Sequence, residues 1–428
     1  MALDLDPIAT RTRRLDRTAA ILTAFVLAVL EMGPAIAKKA FGASDVEIAM
    51  ISMGQSAGML LTFLTAHLAA RHAHVTLVFW PEVLARCVLI MTFFIQPGFA
   101  LAWVAILAFA QMLQLMTMPA RVTVYRHNYP QSLRGRIVSR NRQLQLLTTT
   151  LLALMLSESL EWCLGEGALF RLLGESPVDV VPMIRFLVPL MASVGILGSS
   201  IFRAIPEAEA PGGSQDNGAP VARTSIVETF RHFGRVWKQD ARFRRYEIYF
   251  CIFGFANIMS IPLVQIHSID ALGADYRDMA LINVVLVQGA VALTMPFWGK
   301  MLDRHSPLKL RGVLNLFIAA EYLGLMLAPT IGWVFLGRIL RGVAVSGGSL
   351  VWMLGSLHFA DRREDVPIYL GIHSCLTGMR WLAAPFLGVF LKSHFGDDAR
   401  PVFLLSSIVI VVTAVLMLRD ARREARED

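Results

Sequence analysis

Apolar runs of about twenty residues recur twelve times along the chain, separated by short polar stretches. Each run has roughly the length that an α-helix needs to cross a bilayer. The first six cover residues 18–37, 45–70, 75–96, 101–124, 137–156 and 181–202. The second six cover 246–266, 279–298, 310–327, 333–358, 367–391 and 402–418. Between the sixes, residues 206–220 are rich in Gly, Pro, Asp and Asn and show no apolar periodicity, as expected of a flexible linker. Ser225 and Glu228 then form a capping-box pattern. The helix they open puts Ile226, Phe230, Phe233 and Trp237 on one side and Arg231, Arg235 and Lys238 elsewhere. That pattern predicts an interfacial helix on the cytoplasmic leaflet, joining the two halves.

The halves repeat one another. Gly42-Ala43-Ser44 returns as Gly273-Ala274-Asp275, and Gln55 returns as Gln288. Ala102-Trp103-Val104 returns as Gly332-Trp333-Val334. The expected organisation is a six-helix bundle over residues 1–203, a cytoplasmic linker over 204–223, and the interfacial helix with a second bundle over 224–428.

Composition agrees with the runs. Of 428 residues, 55% are hydrophobic and 17% charged. A soluble domain averages about 25% charged residues. The formal net charge of +8 does not indicate a nucleic-acid partner, because the basic residues gather in loops on one side. If both termini are cytoplasmic, the dense groups around Arg13, Arg136, Arg203–Arg245 and Lys300–Arg311 are all inside. The outer loops then keep few cations, which is the positive-inside pattern. Arg13-Arg14 followed by an apolar run mimics a cleaved leader, but the run is span length and contains Glu31 and Pro34, so it reads as a retained first helix. Of Cys87, Cys163, Cys251 and Cys375, three lie in apolar runs, and no structural disulfide is expected. His72 and His74 lack the carboxylate or Cys neighbours of a metal site, so no metal and no cofactor are expected.

The loop Gly299-Lys300-Met301-Leu302-Asp303-Arg304 lies between the eighth and ninth runs. It resembles the Gly-x-x-x-Asp-Arg loop signature of the major facilitator superfamily, in which Gly299, Asp303 and Arg304 match. The equivalent first-half loop is decayed: Ala66 and Ala70 replace the Gly and Asp, while Arg71 remains. Arg338-x-x-Arg341-Gly342 in the tenth run resembles the superfamily's Arg-x-x-Gln-Gly helix motif, whose fourth-run counterparts here are Ala108 and Gln111. The resemblance implies an all-α membrane protein of twelve helices in two pseudo-symmetric bundles. It also implies a central cavity lined by helices one, four, seven and ten, and no enzymatic activity.

Ionisable groups inside spans are costly and mark function or pairing. Glu31, Gln111, Gln114, Arg341 and Arg380 are the candidates for solute or coupling contacts. A guanidinium at Arg380 offers a planar donor fork suited to a carboxylate or phosphate. Asp303, with Gly299 and Arg304, is the candidate cytoplasmic latch against Arg134 and Arg136 at the start of the fifth helix. Glu82 and Arg86, four apart, share a face and are read as a structural pair. Glu321 and Arg338 lie at equal depth on a hairpin and are read the same way. The expected function is secondary transport of a small anionic or zwitterionic solute by alternating access, with proton coupling open. The expected form is a monomer in a bacterial inner membrane. The decayed first loop motivates a second reading, a transporter-like receptor or assembly partner without solute flux.

Overall fold

The computed structural model describes residues 6–68, 72–176, 178–207, 226–302, 304–355 and 366–427. The chain divides into two compact units, Met1–Val221 and Ala222–Asp428. Most of the expected linker, and the Ser225 cap, lie outside the described residues.

In the first unit the helices are α1 (Pro7–Phe41), α2 (Asp45–Leu68), α3 (His74–Ile90), α4 (Ala100–Met116), α5 (Met118–Asn128), α6 (Gln131–Cys163), the short α7 (Gly167–Leu173) and α8 (Val180–Arg203). α4 and α5 continue one another past Thr117. The second unit has α9 (Ile226–Gln239), α10 (Ala241–Asp270), α11 (Tyr276–Ala280), α12 (Leu286–Leu302), α13 (Pro307–Leu327), α14 (Ile331–Gly355), α15 (Val366–His394) and α16 (Arg400–Glu427). A π-helical turn over Leu281–Val285 joins α11 to α12. Each of the twelve apolar runs falls on one long helix or one such continuous pair. Among the described residues, nine helices meet a length-and-hydropathy criterion for crossing a membrane. α2, α6 and α14 carry the remaining three apolar runs.

The sequence explains the helix ends. α1 starts eleven residues before its apolar run because Asp6 caps it, accepting from Ala9 N at 2.6 Å, with Pro7 preset for the first turn. It stops at Gly42, whose φ of 70° is left-handed. Ala43 N then bonds back to Ala37 O at 2.9 Å, the six-residue closure that such a glycine allows. The second unit repeats the device after α10: Gly273 has φ 66°, and Ala274 N bonds to Ser268 O at 2.8 Å. The next helix also starts alike in both units. Ser44 and Glu47 exchange bonds ahead of α2, and Asp275 and Asp278 form a full capping box on α11.

Packing repeats as well. α1 packs on α6 and α8 as α10 packs on α15 and α16. α2 packs on α4 as α12 packs on α14, and α3 packs on α4 and α8 as α13 packs on α14 and α16. Small residues let the α2–α4 and α12–α14 pairs approach closely. In the first unit they are Gly54 and Gly58, against the backbone of Ala108 and Met112. In the second, Gly342 sits against the backbone of Val287. α9 packs on α10 and α15, with the Phe233 ring over Gly371. All four cysteines are free.

Candidate functional site

Three buried polar networks stand out, one in the first unit and two in the second. The first is centred on Glu82 of α3, which is 2% exposed. Arg86 approaches it at 3.1 Å from one turn along α3. Arg121 of α5 donates to its other oxygen, and Ser199 of α8 donates at 2.9 Å. Above this, buried Asp16 of α1 accepts from Tyr125 at 2.8 Å and from Asn141 of α6 at 2.6 Å. Carboxylates on two helices therefore bind groups on three others, and every charge in the network has a counterpart.

The second network is centred on Glu321 of α13, which is fully buried. Arg338 Nη1 donates to Oε1 at 2.8 Å, and Arg341 Nε lies 2.7 Å from Oε2. Arg341 also donates to Asn257 Oδ1 at 2.7 Å and to the Tyr322 hydroxyl at 2.6 Å. Arg338 Nε bonds the carbonyl of Ile282 at 2.9 Å, inside the π-helical turn. A π-turn disrupts the regular backbone ladder, and Arg338 satisfies one of its oxygens. Arg341, expected at a solute site, is thus committed to Glu321, Asn257 and Tyr322. Its position three residues after Arg338 puts both guanidiniums on the Glu321 side of α14.

The third network runs up the α10–α15 contact. His373, Thr377 and Arg380 follow one face of α15; Glu247, Phe250 and Gly254 follow one face of α10. Glu247 Oε1 lies 2.8 Å from His373 Nδ1, and both residues are fully buried. Thr377 Oγ1 accepts from Arg380 Nη2 at 2.7 Å. Arg380 Nη1 donates to the Phe250 carbonyl, and its guanidinium lies 4.6 Å from the Phe250 ring centre. Gly254 makes room for it: a Cβ there would lie 2.6 Å from Arg380 Cζ. Arg311 of α13 approaches the same ring at 4.7 Å and that of Phe253 at 4.6 Å. Arg311 and Arg380 are 8% and 3% exposed, and no carboxylate lies within ion-pair distance of either among the described residues.

The remaining candidates sit apart from these networks. Glu31 is exposed on α1, with Arg142 of α6 in electrostatic reach. Gln111 and Gln114 are half-buried on α4, and the Oε1 of each is buried without a hydrogen bond. Arg134 donates to the carbonyls of Arg126 and Tyr129, at 2.8 and 3.2 Å, and so closes the end of α5. Arg136 and Arg304 are exposed, and Gly299 ends in open space near the end of α12. Asp303 lies outside the described residues. His74 lies 3.8 Å from Glu207, and no metal-binding group of three or more ligands occurs among the described residues.

Sequence reasoning missed Glu247, Arg311, Arg121 and Asp16. Arg311 was counted with the basic loop before α13, and Glu247 lies one residue inside its run, which makes a second acid besides Glu31 in the presumed cavity-lining runs. The available signal was spacing: Glu247 and Phe250, like Thr377 and Arg380, are three apart and share a helix face.

The family model for the Major Facilitator Superfamily matches residues 184–428. The chain belongs to that superfamily. Solved structures agree along nearly the whole length. A peptide transporter crystallised with sulfate superposes with a TM-score of 0.71 at 12% identity, over 99% of both chains. A bacterial homologue of the human lysosomal transporter Spinster, inward-facing and unoccupied, gives 0.66 at 14% identity, over 97% of this chain and 96% of that one. A D-xylose–proton symporter gives 0.62 at 13% identity, over 96% of this chain and 97% of that one. No curated protein matches. The chain is therefore a multi-pass membrane protein with the superfamily's solute-transporter fold.

Proposed function

We propose that the protein is a secondary transporter that moves a small anionic or zwitterionic solute by alternating access. The observation that carries this reading is Arg380, a buried guanidinium midway along α15 whose hydrogen-bond partners among the described residues are a carbonyl and a hydroxyl. A charge in a span needs a compensating partner, and a planar fork held in one pose by a neighbouring carbonyl suits a carboxylate or phosphate. Arg341 is left to structure in this reading. Gln111 and Gln114 on α4 stay candidates for solute contact in their own bundle, since buried amide oxygens without donors are costly to keep. Asp303, with Gly299 and Arg304, is proposed as the cytoplasmic latch that the family resemblance implies. The protein works as a monomer in a bacterial inner membrane, with both termini inside, which the distribution of Lys and Arg supports.

Uptake of radiolabelled anions into proteoliposomes tests the reading. Transport expected in the wild type falls at least tenfold in Arg380→Gln. Absence of flux for every anionic and zwitterionic solute offered would instead favour a receptor-like role.

A further inference from the structure

We infer that α7 is a lipid anchor: Leu172 and Leu173 enter the leaflet at the Cys163 end of α6, which is the outer leaflet in the orientation proposed above. The two units differ at this place. In the second unit residues 395–399 suffice to join α15 to α16, whereas in the first residues 164–179 join α6 to α8 and include α7.

The longer connection is held in one shape. The chain enters and leaves α7 through glycines with left-handed φ, 79° at Gly167 and 78° at Gly174. Ala168 N donates to Glu158 Oε2 at 2.8 Å, and Trp162 Nε1 donates to the Gly174 carbonyl at 2.7 Å. Both ends of α7 are thus tied to α6. Fixing a segment costs conformational entropy, and burial of apolar side chains normally offsets it. Here no residue of α7 is buried. Leu172 is 78% exposed and Leu173 59%. Two adjacent leucines presented on a pinned helix are a contact surface still to be covered.

Their height identifies what covers them. On α6, Leu147, Leu151 and Met155 are exposed at four-residue spacing, a stripe that faces the lipid of a spanning helix. α7 begins beside Glu158 and Glu161: a Cβ on Gly167 would lie 3.1 Å from Glu161 Cβ. Glu158 and Glu161 follow Met155 by one to two turns, which is about 5–9 Å along the axis. The headgroup zone beyond the hydrocarbon is itself about 5–8 Å thick. α7 therefore lies at the membrane boundary, folded back along α6. Trp162 stands at the same level with its N–H satisfied by Gly174, and the exposed Phe93 and Phe94 mark this boundary on the far side of α8, where Arg185 donates to the Phe93 carbonyl at 2.7 Å.

Charge narrows the kind of attraction. Among the described residues around α7, Glu166, Glu175 and Asp179 are exposed acids and Arg171 is an exposed cation. Such a set offers nothing to anionic headgroups, so the apolar side chains hold α7 in the leaflet.

Fluorescence in lipid nanodiscs, which leave both membrane faces open to solvent, tests the anchor. The full chain, with its four cysteines replaced by Ser, carries an environment-sensitive dye at Leu172→Cys or, as a water-side reference, at Glu175→Cys. Lipid brominated high on the acyl chain should cut the emission of the Leu172 dye about twofold, and more than lipid brominated near the chain end. Iodide should quench the Glu175 dye and leave the Leu172 dye nearly unchanged. Both results should hold in phosphatidylcholine alone; a Leu172 dye that enters only when phosphatidylglycerol is added would overturn the apolar basis. A Leu172 dye open to iodide and untouched by bromolipid would overturn the anchor. Shielding from both quenchers would give the face to a second copy of the chain, and shielding from iodide in native membranes but not in nanodiscs would give it to another protein; either result overturns the lipid assignment. Leu173→Cys carries the same expectations if Leu172→Cys does not fold.

Discussion

The two bundles share a skeleton and differ in charge. Both turn from first to second helix through a left-handed glycine and a capping box, at Gly42 and Gly273. Both place a buried acid on the third helix and bind it with an arginine from the fourth, Glu82 with Arg121 and Glu321 with Arg338. The acids are not equivalent in position. Glu82 lies eight residues from the start of α3, while Glu321 lies fourteen from the start of α13. The balance also differs. Glu82, Arg86 and Arg121 have Asp16 nearby as a second acid. Glu321 faces two arginines, and among the described residues no carboxylate lies within ion-pair distance of Arg311 or Arg380. Among the described residues, the buried ionic network of the first bundle is close to neutral, and those of the second hold surplus positive charge. The repeat thus extends to the turns between first and second helices, while the buried ionic groups of the two halves differ.

The largest test of that contrast is Glu321→Gln. It leaves Arg338 and Arg341 facing a neutral amide, and breaking such a buried pair costs about 3–5 kcal/mol. Thermal unfolding in detergent should register it as a large drop. Replacing Glu321 and Arg338 together by Leu should recover only part of the loss, because Arg341 keeps one unmatched charge. Adding Arg341→Met should recover more. Full recovery in the double variant would mean that Arg341 does not depend on Glu321.

Glu82→Gln should cost less, about 2 kcal/mol, because Asp16 remains within electrostatic reach of Arg121. A loss equal to that of Glu321→Gln would erase the difference in balance between the halves. Ser199→Ala, which removes one donor to Glu82, should cost about 1 kcal/mol.

How far the sequence made these features legible follows from the kind of signal each leaves. The all-helical membrane fold was legible because apolar runs of span length have few other readings. The turn at Gly42 and its copy at Gly273 were legible because a glycine before a capping residue encodes its own geometry. The partners of buried charges were not. Glu321 and Arg338 could be paired through a short hairpin, and the i,i+3 spacing puts Arg341 on the same side, but the sequence does not say that one carboxylate takes both arginines or that Asn257 and Tyr322 join them. Glu247 and His373 are separated by 126 positions, and only the α10–α15 contact brings them together. Asp303, the most family-like residue in the chain, lies outside the described residues, so the latch rests on the resemblance.

A repeated residue can also lose its repeated role, which Trp103 and Trp333 test. Trp103 is fully buried, stacks on Phe41 at 5.1 Å and donates to the Gly33 carbonyl at 3.0 Å, next to Pro34. Trp333 is half exposed at the start of α14. Trp103→Phe should cost about 1–3 kcal/mol, because a buried carbonyl loses its donor. Trp333→Phe should fall within about 0.5 kcal/mol of the wild type. Equal losses would show that the repeat extends to the environment of these side chains and not only to their sequence.

The smallest effect concerns the turns themselves, where the halves should be indistinguishable. Gly42 and Gly273 have φ of 70° and 66°, and neither would place a Cβ within 4 Å of a neighbouring atom. Any loss on substitution is therefore conformational and not steric. A non-glycine residue held in the left-handed region costs about 1–2 kcal/mol. Both turns are closed by the same six-residue backbone bond, and each is followed at once by a capped helix, so neither can relax by unwinding into a longer loop. Gly42→Ala and Gly273→Ala should then lower stability by about 1 kcal/mol each, and by the same amount within roughly 0.5 kcal/mol. Gly42→Asn and Gly273→Asn should cost less, since Asn tolerates this conformation better than Ala. A loss confined to one glycine would place the asymmetry of the two bundles in their backbone as well as in their buried charge.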